Sequence, residues 1–346
     1  MAKNIVIFSD GTGQEGGEGA NTNVYKMFNM VHDRSPDQIA FYDRGLGTGW
    51  RKVTGNAVGM GISKNILECY RFIFENFEAG DQIYLFGFSR GATTVRSLSG
   101  FVHLFGILPK SREELIGAAY DIYKIGEKKK RETAAKDFVS RHHTMWTKIK
   151  FLGVWDTVAA LGVPIKSIDV VVDKVSLFKH SYHDLKLSET VENAYQALAI
   201  DDERKTFHPV LWNPDIADWQ TMKQVWFCGM HTDVGGGYKE PQLSDIALGW
   251  MVQVAKGHGL RIHTHHKVEI AGDADGVMHD SRGTWLTRLY RRAERSWPVD
   301  THGKPMIHES VTQRTRNHDN EDDPTYSPWI LNGNYDYEIE PLGPEQ

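Results

Sequence analysis

Residues 82–94 read QIYLFGFSRGATT. The apolar run from Ile83 to Phe86 does not alternate with polar residues, which is how a strand covered on both faces reads. It passes into Gly87-Phe88-Ser89-Arg90-Gly91 and then into a helix-compatible segment, the pattern and context of a G-x-S-x-G strand–turn–helix elbow. Such a turn needs glycines, because strand and helix approach too closely for a Cβ and the central residue is held in a strained conformation. Ser89 is thereby a candidate nucleophile at a helix N-terminus, where the dipole favours a developing oxyanion.

Outward from this stretch, similar short runs rich in β-branched and aromatic residues occupy 4–8, 148–155 and 223–229, with 39–42 a fifth candidate. Helical spacing of apolar residues marks 61–77, 93–104 and 244–256. Strands alternating with helices imply βαβ units and a doubly wound, mostly parallel sheet, an α/β fold. Two stretches break the rhythm, 109–143 and 165–204, and are expected to be helical cap insertions on a single domain spanning 1–346. The stretch 317–346, rich in Asp, Asn and Pro, is expected to be an irregular tail.

Composition narrows the function. The 346 residues carry 40 Lys+Arg against 45 Asp+Glu, a formal charge of −5, so no basic footprint for nucleic acid is present. No apolar run approaches the roughly 18 residues that span a bilayer. The start, MAKNIVIFSDG, lacks the regions of a signal peptide, giving an expected cytoplasmic location. Cys69 and Cys228 are the only cysteines, too few for a disulfide framework or a cysteine zinc site. The run Lys128-Lys129-Lys130-Arg131 reads as a solvated helix face, with weak contact to anionic head groups its other use.

Serine needs a base and an orienting acid. Asp156 in KIKFLGVWDTV and Asp233 in KQVWFCGMHTDVGGGY each follow a strand-like run, and Asp156 is the preferred acid. Three histidines compete for the base: His279 in VMHDS, His231 in the glycine-rich segment, and His308 in MIHESV, with His279 preferred. His231 and Asp233 otherwise line the pocket beside Asp10. Oxyanion donors are expected from the early loop Ser9-Asp10-Gly11-Thr12-Gly13, at Gly11 or Thr12, and from the Arg90 backbone. That loop lacks the Lys-Ser/Thr ending of a P-loop. Two other readings stand beside the serine hydrolase: a metal-dependent phosphoric ester hydrolase using Asp10, His231 and Asp233, and a catalytically silent binding domain.

Several collinear motifs carry a resemblance. They include FSDGTG (8–13), NTNV (21–24), YDRGLGTG (42–49), GFSRGA (87–92), GVWDTV (153–158), ALAIDDERKTFHPVLW (197–212), VWFCGMHTDVGGGY (225–238), LSDIALGWM (243–251) and the late HDS and HESV. Together they resemble the α/β-hydrolase domain family that includes the phospholipase A1-like lipase effectors of type VI secretion. The resemblance implies an α/β-hydrolase-like sheet and a Ser–His–Asp triad that hydrolyses carboxylic esters, lipids among them, with no cofactor and no metal. Carried across, the triad falls on Ser89, Asp156 and His279, with a small-molecule ester or lipid as substrate. The membrane-attachment region of the large effectors is expected to have no counterpart here.

Overall fold

The computed structural model describes residues 2–11, 19–31, 35–45, 55–158, 186–263, 268–285, 287–317, 326–332 and 335–342, with the side chains of 55–60 set aside. Its frame is β1 (Asn4–Ser9), α1 (Asn23–Met30), β2 (Gln38–Asp43), α2 (Gly55–Asn76), β3 (Gln82–Phe88) and α3 (Arg90–Phe105). Then follow α4 (Leu115–Tyr123), α5 (Lys128–His142), β4 (Ile149–Trp155), β5 (Asn193–Ala199) and β6 (Thr221–Phe227). The last elements are α6 (His231–Gly235), α7 (Gln242–Gly257), α8 (Val299–His302), β7 (Met306–His308), α9 (Glu309–Asn317) and β8 (Glu338–Glu340).

The strands form one sheet in the order β2-β1-β3-β4-β5-β6-β7-β8, and every pairing is parallel. Alternate residues feed opposite cores. Ile5, Ile7, Ile83, Leu85, Leu152 and Val154 pack with α2 to α5 on one face. Val6, Phe8, Tyr84, Phe86, Phe151 and Trp155 pack with α1 and α7 on the other. Because both faces are covered, β1 and β3 are apolar without alternation, and each large side chain so buried contributes roughly 1.5–3 kcal/mol. This is an α/β-hydrolase-like, doubly wound sheet. The chain runs from β1 outward to β2 and then crosses back over β1 to β3 and the strands beyond, so the carboxyl ends of β1 and β3 meet at a topological switch point, where such sheets bind ligands.

Three expectations meet a different arrangement. The stretch 109–143 forms α4 and α5, whose Tyr120, Tyr123 and Phe138 pack on Phe101 and Phe105. Phe101 and Phe105 lie in the far half of α3, about 16–22 Å from its start at the rise of 1.5 Å per residue. The hairpin thus backs the helix layer instead of capping Ser89. The second expected cap, 165–204, lies partly outside the described residues, and its described end contains β5. The expected irregular tail contributes β8, paired in parallel with β7, and buries Trp329 and Ile330 against Trp226 in a third apolar cluster. Among the described residues no helix is long and apolar enough to cross a membrane.

Candidate active site

Ser89 sits between β3 and α3 with φ 57° and ψ −118°, a conformation costing a non-glycine residue about 1–3 kcal/mol. Its N–H donates to Trp155 O at 3.1 Å, which ties the bend to the end of β4. The flanking glycines are required sterically. A Cβ on Gly91 would lie 2.0 Å from Ser9 O, and one on Gly87 would lie 2.6 Å from Gly91 O. Strand, helix and β1 therefore meet at van der Waals limits around a serine that remains 9% exposed.

The residue just past β4 is Asp156, with φ 38° and no exposure to solvent. Its N–H still follows the sheet, donating to Ala197 O at 2.7 Å. Its carboxylate is approached from three sides. Ala199 N–H donates to Oδ1 at 3.1 Å, Arg295 donates to Oδ1 at 2.7 Å and to Oδ2 at 2.8 Å, and His231 Nδ1 lies 2.6 Å from Oδ2. Burial alone would raise the Asp156 pKa, but the Arg295 charge and these hydrogen bonds hold it well below the ordinary carboxylate range.

His231 opens α6, immediately beyond β6. Strands in a sheet lie about 4.8 Å apart, so the carboxyl ends of β4 and β6 are separated only by β5. The imidazole packs on Phe88 with ring centroids 4.6 Å apart, and Phe207 meets it edge-on at 5.4 Å. Its backbone N–H donates to Asp202 Oδ2 at 3.3 Å, and Asp202 is itself held by the guanidinium of Arg204 at 2.6 Å. With Nδ1–H directed at Asp156, Nε2 is left as the proton acceptor.

The expected Asp156–His279 pair is not formed. His279 Nδ1 lies 2.7 Å from Asp233 Oδ1, its backbone N–H donates to Asp233 Oδ2 at 3.0 Å, and its ring stacks on Tyr238. Asp233 is in turn an α6 cap, accepting from Met230 N at 3.1 Å. The two Asp–His pairs are thus Asp156–His231 and Asp233–His279. His308 lies in neither. It stacks on Phe227 and accepts from Ser310 N at the start of α9, and burial lowers its pKa to about 4.

Asp10, expected beside the oxyanion or a metal, is instead a buried anchor. It accepts from Gly11 N at 2.7 Å, Thr22 Oγ1 at 2.5 Å and Tyr42 Oη at 2.7 Å. Burial still raises its pKa to about 6 despite these donors. Gly11 comes close to Ser89, since a Cβ there would lie 3.4 Å from Ser89 Cβ, but its N–H is committed to Asp10. Thr12 lies outside the described residues. Arg90 occupies the first turn of α3, where a backbone N–H has no intrahelical acceptor, and burial lowers the pKa of its side chain to about 10. The triple Asp10, His231 and Asp233 does not gather, each being engaged elsewhere. Among the described residues no three His, Cys, Asp or Glu side chains converge as a metal site would require.

Two participants escaped the sequence reading, Arg295 and the Asp202–Arg204 pair. Arg295 stands in the polar run RRAERSW, which carries no apolar signature. The available signal was alternation, with Ala293, Arg295 and Trp297 turned inward between exposed Glu294 and Ser296. The glycines after His231 serve an internal purpose as well. A Cβ on Gly235 would fall 2.0 Å from the Phe88 ring, so this glycine admits Phe88 and not a ligand.

The chain is similar to an uncharacterised protein of Saccharomyces cerevisiae, YEL023C, at 30% identity over 214 residues, covering 54% of this chain and 31% of that protein. Among solved structures it is similar to an uncharacterised protein from Pseudomonas aeruginosa, at 14% identity and a TM-score of 0.48, covering 76% of this chain and 47% of that one. It is also similar to the Tle1 effector bound to the VgrG spike of the type 6 secretion system, at 20% identity and a TM-score of 0.34, covering 69% and 52%. The chain spans about a third of the yeast relative and about half of each solved chain. Residues 3–254, which include Ser89, Asp156 and His231, match the family described as T6SS, phospholipase effector Tle1-like, catalytic domain, and the chain belongs to that family.

Proposed function

We propose that this chain is a serine hydrolase of carboxylic esters, of phospholipase A1-like type, in which Ser89 is the nucleophile, His231 the base and Asp156 the orienting acid. The observation that carries the reading is the 2.6 Å contact between His231 Nδ1 and Asp156 Oδ2, formed by an imidazole packed on the residue preceding Ser89. The order serine, acid, histidine along the chain is the one this fold uses.

In this reading Ser89 Oγ attacks the acyl carbonyl while His231 Nε2 takes its proton. Asp156 balances the imidazolium that forms. The Arg90 N–H, free of an intrahelical acceptor, faces the developing oxyanion together with the positive end of α3. Collapse of the tetrahedral intermediate breaks the bond to the alcohol, which leaves with the proton from His231. Water then repeats the sequence on the acyl-enzyme, releasing the acid and restoring Ser89.

A fluorophosphonate probe on the purified protein, with the modified residue mapped by mass spectrometry, tests this directly. Labelling at Ser89 that disappears in Ser89→Ala, along with turnover of p-nitrophenyl butyrate, is the expected outcome. Undiminished turnover in the folded Ser89→Ala variant would remove Ser89 from the chemistry.

A further inference from the structure

We infer that Arg295 is a positioning residue for this reaction: its guanidinium fork fixes the plane of the Asp156 carboxylate and so aims Oδ2 at His231 Nδ1, an inference that rests on the Ser89–His231–Asp156 reading.

The guanidinium is fully buried and held by three separate segments. Nη1 donates to Asp156 Oδ1 at 2.7 Å and to Ala199 O at 2.6 Å. Nη2 donates to Asp156 Oδ2 at 2.8 Å and to Phe207 O at 2.6 Å. The carbonyls of Ala199, at the end of β5, and of Phe207, whose ring contacts His231, therefore fix where the fork lies. The fork in turn leaves the carboxylate one orientation. A carboxylate held by Ala199 N–H and the imidazole alone would be free to turn about its χ2.

As a stabilising device the pair is a poor choice. Withdrawing two charges from water costs several kcal/mol per ion, and apolar residues of equal volume often serve as well. What the pair supplies is geometry and a guaranteed negative charge. A buried Asp156 without a cation beside it would be pushed toward its neutral form, which can neither orient nor balance an imidazolium.

The other charged groups around Asp156 are accounted for. Asp202 has Arg204 as its counter-ion. Asp201, buried near Arg295, accepts from Tyr326 Oη at 2.8 Å and from Gly229 N at 2.6 Å. Removing Arg295 therefore strips the hydrogen-bonded counter-charge from Asp156, while Asp202, which also feels the Arg295 charge, keeps Arg204, and His231 is the titratable group left in contact with Asp156.

The test compares the full chain with Arg295→Met and Arg295→Lys on p-nitrophenyl butyrate from about pH 5 to about pH 9. Arg295→Met is expected to lower kcat by about 10–100-fold, with KM within about twofold and the acidic limb of kcat/KM moved to higher pH. Arg295→Lys keeps the charge and loses the planar fork, so its acidic limb is expected to stay with the wild type while kcat falls about tenfold. A purely structural role would lower the melting temperature and leave the pH profile of the folded fraction unchanged. A folded Arg295→Met with wild-type kcat and acidic limb overturns the proposal; if that variant does not fold, Arg295→Lys with wild-type kcat does the same. Fluorophosphonate labelling of the wild type separates the two levels: an unlabelled Ser89 removes the triad reading, and the role of Arg295 with it, whereas a labelled Ser89 with unmoved Arg295 variants removes only the latter.

Discussion

Phe88 and His231 lie ring against ring, centroids 4.6 Å apart, so the imidazole is positioned by the residue adjoining the elbow serine as well as by Asp156. The space for that contact comes from Gly235, whose missing Cβ would strike the Phe88 ring. Gly235→Ala is therefore expected to displace Phe88 and the imidazole together. Overpacking of this kind costs about 1–3 kcal/mol. A thermal melt with steady-state kinetics would show a lower Tm and a lower kcat in the same variant, and retention of both would show the contact to be dispensable.

The two Asp–His pairs are expected to behave differently. His231→Gln should abolish ester turnover, by about 10³-fold or more, with little change in fold. His279→Gln removes a charge-assisted partner from buried Asp233 and is expected to cost about 1–3 kcal/mol in stability, with kcat changed less than about tenfold. Kinetics and chemical denaturation of both variants check this, and the reverse pattern would transfer the base to His279.

Asp156→Asn keeps the shape of the acid and loses its charge. By analogy with the loss seen when a triad acid is neutralised, kcat should fall about 10³–10⁴-fold. Circular dichroism is needed alongside, because Arg295 then becomes a buried cation without a counter-ion.

His308 gives a pH signature in stability. Its pKa in the folded chain is about 4 against about 6.5 when unfolded, so between these values the unfolded chain binds more protons. The contribution is present above about pH 6.5 and is lost as pH falls through about 4, amounting to about 3 kcal/mol. Asp10 acts oppositely: its pKa of about 6 exceeds the unfolded value, so its contribution is complete below about pH 4 and lost as pH rises through 6. His308→Asn keeps an acceptor for Ser310 N and should flatten the acid side of the stability curve, which denaturant melts between about pH 4 and pH 7 would reveal.

The readable parts of the sequence were those where burial writes a continuous apolar run. β1, β3, β4 and β6 stood out for that reason, and the elbow because steric limits demand its glycines. β5 was hidden because NAYQALA is built from small and amide side chains. Its central Gln196 is wholly buried, accepting from Thr157 Oγ1 at 2.5 Å and donating to Gln224 Oε1 at 3.0 Å, so hydrogen bonds replace the apolar signal. β7 and β8 are three residues each, too short for a period to show. The placement of Ser89 and Asp156 at strand ends was legible. Which histidine pairs with Asp156 was not, since His231 and His279 each have an acidic neighbour in sequence, and the pairing follows from the adjacency β4-β5-β6, which linear spacing does not encode. Arg295 was easily missed because a guanidinium drawn inward looks, in sequence, like any surface arginine, and only the short alternation around it marks it.

The indole of Trp226 lies edge-on to Trp329 at 5.2 Å, and Trp329 Nε1 donates to Ile200 O at 3.1 Å, one residue before the Asp201–Asp202 pair. The strand that leads to His231 is thus propped from behind by residues synthesised about a hundred positions after it. During translation the bend at Ser89 can form early, but the imidazole of His231 acquires its backing only once the segment around Trp329 has left the ribosome. A nascent chain halted before that point would carry the bend at Ser89 without a firmly seated His231.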